Sequence, residues 1–390
     1  MTQQFIETDH AVFCIEFSPD GLTLAAGTGS YYGTLNKLLL YPLTGINNGL
    51  VSVGEPQNVP LTHQKPHPKN SDSFKPEGLS ATALYFTPDS KQLWVATSAS
   101  YRGKGPLFCF DLSRNPLQLP IPIYLSGMKG TYPDGFVHRV NQLFVCGHGM
   151  SGHAEAYICH IECASDLTQS SSSPKMLLID DQLITPGAPQ HTLVQGIRLE
   201  KNAYKFGLSF VPAEQHDAVS EQLVSLESEE RDRPALMQHY PSLTIPVEHA
   251  ILCLAQQPDS ANFTTGNTAG QFHHWWFEGQ WCNRHIAPKQ VPESTTPLLI
   301  KDSIFAQNCV VAIQYLPNNQ GWLSLSANGM LIHWQGDEIV HYEQVSHLGT
   351  PRCMALHPTK PLLAIGLKHN AELHGAGIAL VDIGDWCSGR

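Results

Sequence analysis

The chain has 390 residues, 42% of them hydrophobic and only 15% charged, with 31 glycines, 28 prolines and a formal net charge of −11. Low charge with many turn formers favours short strands over long solvated helices, and the acidic balance argues against general binding to nucleic-acid phosphates. No apolar run approaches the ~20 residues that span a bilayer, and the first residues carry no basic, apolar leader, so the expectation is a soluble cytoplasmic protein.

One grammar recurs along the chain: an alternating strand, a polar turn containing proline, a second strand, a loop, and a third strand. Val12-Phe-Cys-Ile-Glu-Phe17 runs into Ser-Pro-Asp-Gly21, then Leu22-Thr-Leu-Ala-Ala-Gly27 and Lys37-Leu-Leu-Leu-Tyr41. Ala83-Leu-Tyr-Phe86 runs into Thr-Pro-Asp-Ser90, then Gln92-Leu-Trp-Val-Ala-Thr97 and Leu107-Phe-Cys-Phe-Asp111. The segments Phe136–Val140, Gln142–Cys146 and Ala156–His160 form a weaker third copy, and Thr192–Leu199 with Lys205–Phe210 a fourth. Later copies start at Ile251, Val311 and Cys353 and end near Trp275, Trp334 and Asp382. Proline presets φ at each turn and Asp, Asn or Gly completes it, so the flanking runs pair as hairpins. One such sheet cannot bury both faces alone, whereas copies stacked around an axis can.

These motifs resemble WD40 repeats. Phe17-Ser-Pro-Asp-Gly21 matches the first turn of that family, and Ser326-Ala-Asn-Gly-Met-Leu-Ile-His-Trp334 its second turn and third strand; the Gly-His pair and terminal Trp-Asp of the family are largely missing. The resemblance implies an all-β, seven-bladed WD40-like β-propeller, one domain over 1–390. Its blades are expected at 11–53, 81–125, 135–180, 191–247, 249–290, 309–345 and 352–383 plus 3–8. Residues near Phe5 are expected to close the ring beside Ile378–Val381. Residues 54–80, rich in proline, read as a connection. Residues 213–240 read as an acidic insertion, helical by the spacing of Val219, Leu223 and Leu226.

The chemistry-bearing motifs reduce to structural ones. Cys146-Gly-His-Gly-Met-Ser-Gly-His153 lacks the last glycine and the helix of a nucleophile elbow. Cys146, His148, His153, Cys159, His160 and Cys163 match no zinc spacing, and the neighbours Cys159 and His160 point to opposite faces of a strand. His273-His274 reads as an in-and-out pair, Trp275 and Trp276 as packing residues, and Cys14, Cys109, Cys159, Cys253, Cys309 and Cys353 as reduced core thiols. The sequence therefore predicts no catalytic residue, metal or cofactor.

Loop lengths are more informative. In the fifth and sixth blades the loop between second and third strands is minimal, at Gly266–Gly270 and Ala327–Gly329. In blades seven, one, two and three it is longer. Those four blades are consecutive in a closed ring, so their loops form a crescent carrying Tyr31, Tyr32, Tyr101, Arg102, Lys104, His148, His153, Lys368, His369 and His374. Tyrosine and arginine are enriched at binding hot spots, and the basic residues favour an acidic partner segment. The expected function is a non-catalytic scaffold or adaptor. The alternatives are an enzyme with its site in the central channel and a structural subunit of a larger assembly.

Overall fold

The computed structural model describes residues 3–29, 36–47, 50–63, 77–99, 106–114, 117, 119–120, 131–139, 142–149, 157–162, 176–179, 192–198, 206–211, 244–258, 260–286, 309–345, 349–368 and 376–387. After β1 (Gln3–Thr8), the first sheet contains β2 (Ala11–Phe17), β3 (Thr23–Gly29), β4 (Lys37–Asn47), β5 (Leu50–Val53) and β6 (Gln57–Pro60). The second has β7 (Thr62–His63), β8 (Glu77–Phe86), β9 (Gln92–Ala99) and β10 (Leu107–Asp111); the third has β11 (Thr131–Arg139), β12 (Gln142–Gly149) and β13 (Tyr157–Glu162). The fourth has β14 (Met176–Ile179), β15 (Thr192–Arg198), β16 (Phe206–Val211) and β17 (Thr244–Val247). The fifth has β18 (Ile251–Gln256), β19 (Phe263–Asn267), β20 (Phe272–Phe277) and β21 (Trp281–Ile286). The sixth has β22 (Val310–Tyr315), β23 (Trp322–Ser326), β24 (Met330–Gln335) and β25 (Glu338–Gln344). The seventh has β26 (Thr350–Leu356), β27 (Leu362–Lys368) and β28 (Ala376–Asp382), with β1 as its outer strand and a short helix α1 (Gly384–Cys387) after it.

All the strand pairs are antiparallel. The inner strands pack on one another in the cycle β2, β8, β11, β14, β18, β22, β26 and back to β2. Closure follows the sequence expectation, with Phe5 opposite Ala379 and Ile6 opposite Ile378. This pairing covers the edge that β28 would otherwise expose.

Two expected boundaries are corrected. Met176–Ile179 pairs with Ile179 opposite Thr192, so it is the inner strand of the fourth sheet and not the end of a third blade running to 180. Its partner, and not its position after the third copy, decides its sheet. The stretch 54–80 is not wholly a connection: Gln57–Pro60 pairs with Lys37–Leu40, so the first sheet extends past 53, and Glu77 and Gly78 already belong to β8. Residues 213–240, where a helix was expected, lie outside the described residues.

The turns are built as their residues dictate. Ser18 Oγ donates to Asp20 Oδ1 at 2.6 Å and accepts from Thr23 N at 2.9 Å; Thr87 and Asp89 repeat the device at 2.7 Å, with Gln92 N at 2.9 Å. The seventh sheet uses a histidine instead. His357 Nδ1 accepts from Thr359 N at 3.2 Å and Lys360 N at 3.1 Å, which leaves Nε2 to donate to Gly21 O of the first sheet at 3.1 Å. The ring is 5% exposed, and its burial holds the pKa below the ordinary histidine range.

A joint recurs between sheets. On six inner strands the pairing register shifts across one residue: Val12/Cys14, Ala81/Ala83, Pro133/Gly135, Ile251/Cys253, Val310/Ala312 and Pro351/Cys353. Such bulges bend a strand and increase its twist. Where the residue after the bulge is cysteine, it sits opposite a glycine: Cys14 and Gly27, Cys253 and Gly266, Cys353 and Gly366. A Cβ on Gly366 would lie 2.4 Å from Cys353 Sγ and 2.7 Å from Val12 Cγ1; one on Gly266 would lie 2.6 Å from Val310 Cγ1. The missing side chain admits the next sheet's inner strand. Cys253 Sγ then approaches Val310 O at 3.8 Å, and Cys353 Sγ approaches Val12 O at 3.9 Å. The contact that closes the ring is thus the same contact that joins sheets within it.

Candidate functional site

Each long loop of the sequence-predicted crescent starts where a second strand ends and finishes where a third begins. Tyr31, Tyr32, Tyr101, Arg102, Lys104, His153, His369 and His374 lie outside the described residues. His148 lies near the end of β12, its backbone opposite Tyr132. Lys368 is the last residue of β27, opposite Thr350.

The bases of the first and second loops are held by side-chain hydrogen bonds. Thr28 Oγ1 accepts from Lys37 N at 3.2 Å and donates to Lys37 O at 3.1 Å, which pins the first loop between its two strands. Asn36, 1% exposed, donates from Nδ2 to Ser80 Oγ of the second sheet at 3.1 Å. Thr97 Oγ1 donates to Pro106 O at 2.6 Å across the second loop. In the fifth and sixth sheets the same turn closes on itself. Asn267 Oδ1 accepts from Ala269 N at 3.0 Å and Gln271 N at 2.9 Å, with Gly270 at φ 80°. Asn328 Oδ1 accepts from Met330 N at 3.1 Å, with Gly329 at φ 87°. Both glycines occupy the left-handed region that a tight turn requires.

A residue that the sequence reading missed stands beside Lys368. Arg352 occupies the bulge of β26, between Pro351 and Cys353. Its Nε is buried without a hydrogen-bond partner. Burial, and then the Arg352 charge, holds the Lys368 ammonium pKa below the usual lysine range. Among the described residues neither cation is in an ion pair. The signal for Arg352 was present in the recurring triplets Val12-Phe-Cys14, Ile251-Leu-Cys253 and Pro351-Arg-Cys353, whose middle residue is bulged.

The expected packing roles hold elsewhere. Trp275, 1% exposed, stacks on Phe263 at 5.9 Å and donates from Nε1 to Thr265 Oγ1 at 3.1 Å. Trp334 repeats the bond to Ser324 Oγ at 2.8 Å. Cys14 and Cys309 are buried free thiols, and Cys353 is a partly buried one. Among the described residues no group of three His, Cys, Asp or Glu side chains is arranged to hold a metal, and no helix is long and apolar enough to cross a membrane.

Solved structures resemble the whole chain. The β-propeller domain of Myceliophteria thermophila Cps50 (Swd1) superposes with a TM-score of 0.53 at 9% identity, covering 98% of this chain and 99% of that one. The fold is a β-propeller. The structure of U3-55K gives the same TM-score and identity, covering 97% of this chain and 98% of that one. No protein-family profile and no curated protein matches the sequence. The sheets described above are the propeller's blades, and in two of them a Trp indole donates to a Ser or Thr on the adjacent strand.

Proposed function

We propose that this propeller is a non-catalytic scaffold or adaptor subunit of an intracellular complex. A protein partner docks on the face formed by the long loops of the seventh, first, second and third blades. The observation that carries the reading is the asymmetry of one face: the fifth and sixth blades close that turn within a few hydrogen-bonded residues, while the strands flanking the longer first and second loops are pinned by Thr28, Asn36 and Thr97. Function concentrates on loops held by a rigid scaffold, and a fixed base lowers the ordering cost of binding. Arg352 and Lys368 add positive charge on that side of an otherwise acidic chain, which suits an acidic partner segment.

The test is affinity capture from the native host with Tyr31, Tyr32, Tyr101 and Arg102 changed together to Ala, after circular dichroism has verified the fold. Loss of one aromatic anchor costs about 2 kcal/mol, roughly thirtyfold in affinity, so the captured partner is expected to disappear. Capture of the same partners by the quadruple variant would place the docking face elsewhere.

A further inference from the structure

The fifth and sixth blades carry a histidine at the same position of their third strands. His274 lies opposite Thr264 and Arg284, and His333 opposite Leu323 and His341, one residue before Trp275 and Trp334 respectively. Both histidines face the following blade.

Beside His333 the space is filled by the chain itself. Trp386 of α1 lies nearly parallel to His333, with centroids 6.0 Å apart and 10° between planes, and to His341 at 5.7 Å and 11°. His333 Nε2 donates to Gln320 O at 2.7 Å, and Gln320 Nε2 donates to Cys387 O at 2.9 Å, which ties the helix down. Trp386 is only 9% exposed.

Beside His274 the equivalent space is a cleft of about 300 Å³ between the fifth and sixth blades. Its walls include Pro258, His274, Tyr315 and Trp322, with Arg284 and Asp337 at the side, their charges 2.7 Å apart. Thr264 Oγ1 links the Tyr315 hydroxyl at 2.6 Å to His274 Nδ1 at 3.3 Å, which fixes the imidazole in place. The floor runs into the aromatic core: Trp322 stacks on Trp334 at 4.8 Å and meets Phe272 edge-on at 5.3 Å. The volume is at the lower end of sites that hold small organic groups.

We infer that this cleft is a binding site for an indole side chain presented on a short turn of a partner protein, seated against His274 and Arg284 as Trp386 is seated against His333 and His341. The template is internal: the same strand position, a planar side chain opposite it in each blade, and an aromatic floor continuous with the core packed between the fifth and sixth blades. Arg284 stacks on aromatic faces as readily as a histidine does. The inference extends the scaffold reading with a second, separate contact point, and its test does not depend on the loop face.

The probe is an acetylated, amidated peptide of residues 382–387 with serine in place of Cys387, titrated calorimetrically into the purified full chain. Saturable one-to-one binding is expected, together with its loss when the peptide's tryptophan is replaced by alanine. The double variant His274→Ala, Arg284→Ala, with an unchanged circular dichroism spectrum, is expected to bind at least tenfold more weakly, while His341→Ala binds as the parent does. Absence of binding to the parent overturns the inference, as does equal affinity in the double variant. A loss confined to His341→Ala also overturns it, because the peptide would then be exchanging with the chain's own α1. None of these outcomes bears on capture through the loop face.

Discussion

Gly366→Ala probes the ring's closing joint. The new methyl group would lie 2.4 Å from Cys353 Sγ and 2.7 Å from Val12 Cγ1, where ordinary contacts between carbon atoms fall at about 3.5–4.0 Å. Relief in one direction moves Cys353 within the seventh blade; in the other it pushes the first blade away. Overpacking of this kind costs about 1–3 kcal/mol, against which the loss of glycine's freedom in the unfolded chain returns about 0.4–1 kcal/mol. A net loss of about 1–2 kcal/mol is expected in urea denaturation. It should be accompanied by faster amide hydrogen exchange in β1 and β28, the strands beside the joint. Adding Cys353→Ala removes the nearer clash and is expected to restore more than half of the loss, a coupling that a double-mutant cycle reads directly. A single variant within about 0.5 kcal/mol of the parent, the usual range for inconsequential surface changes, would refute the reasoning. So would a full-sized loss that Cys353→Ala leaves untouched.

His357 is held neutral in the folded chain by burial and by two amides donating to Nδ1. Its folded pKa lies below the unfolded value near 6.5, so its stabilisation is complete above pH 6.5 and is lost as pH falls through the folded value. Denaturation midpoints measured from pH 8 to 5 should fall on the acid side, and less steeply in His357→Gln. Glu16 has the opposite sign: burial pushes its carboxyl up to about 8, so the folded chain retains a proton that the unfolded chain releases between about pH 4.3 and 8. Glu16→Gln is therefore expected to stabilise the fold more at pH 8 than at pH 5, read from thermal melts at both. Deletion of the acidic residues 213–240 is expected to leave the melting temperature nearly unchanged.

The sequence carried the architecture wherever local chemistry sets it. Proline with Asp or Gly between alternating runs marked the hairpins, and the unpaired apolar run around Phe5 marked the closure. It failed where pairing is non-local. Met176–Ile179 is four apolar residues between turn formers on both sides, and only Thr192, more than a dozen residues later, decides its sheet. Gln57–Pro60 sits among prolines, and it pairs with the part of β4 next to the first blade's loop. The candidate site was legible in part. Loop lengths and Lys368 could be read directly, but Arg352 needs the bulge, which becomes visible only when the triplets ending at Cys14, Cys253 and Cys353 are aligned. The likeness of His274 to His333 is written in the sequence, yet which of the two has a tryptophan beside it depends on where α1 folds back.

Pairing of Phe5 with Ala379 also constrains how the chain is made. The outer strand of the last blade leaves the ribosome before the other strands of the propeller, and its partner leaves after them. At synthesis rates of about 5–20 residues per second, β1 waits roughly 20–75 s for β28. Throughout that time the growing propeller is an open arc with one unsatisfied strand at its start and a changing edge at its end, and long-range pairing of this kind is slow to form. A newly made molecule is therefore most exposed to misassembly, including exchange of β1 with a neighbouring nascent copy, just before its ring shuts.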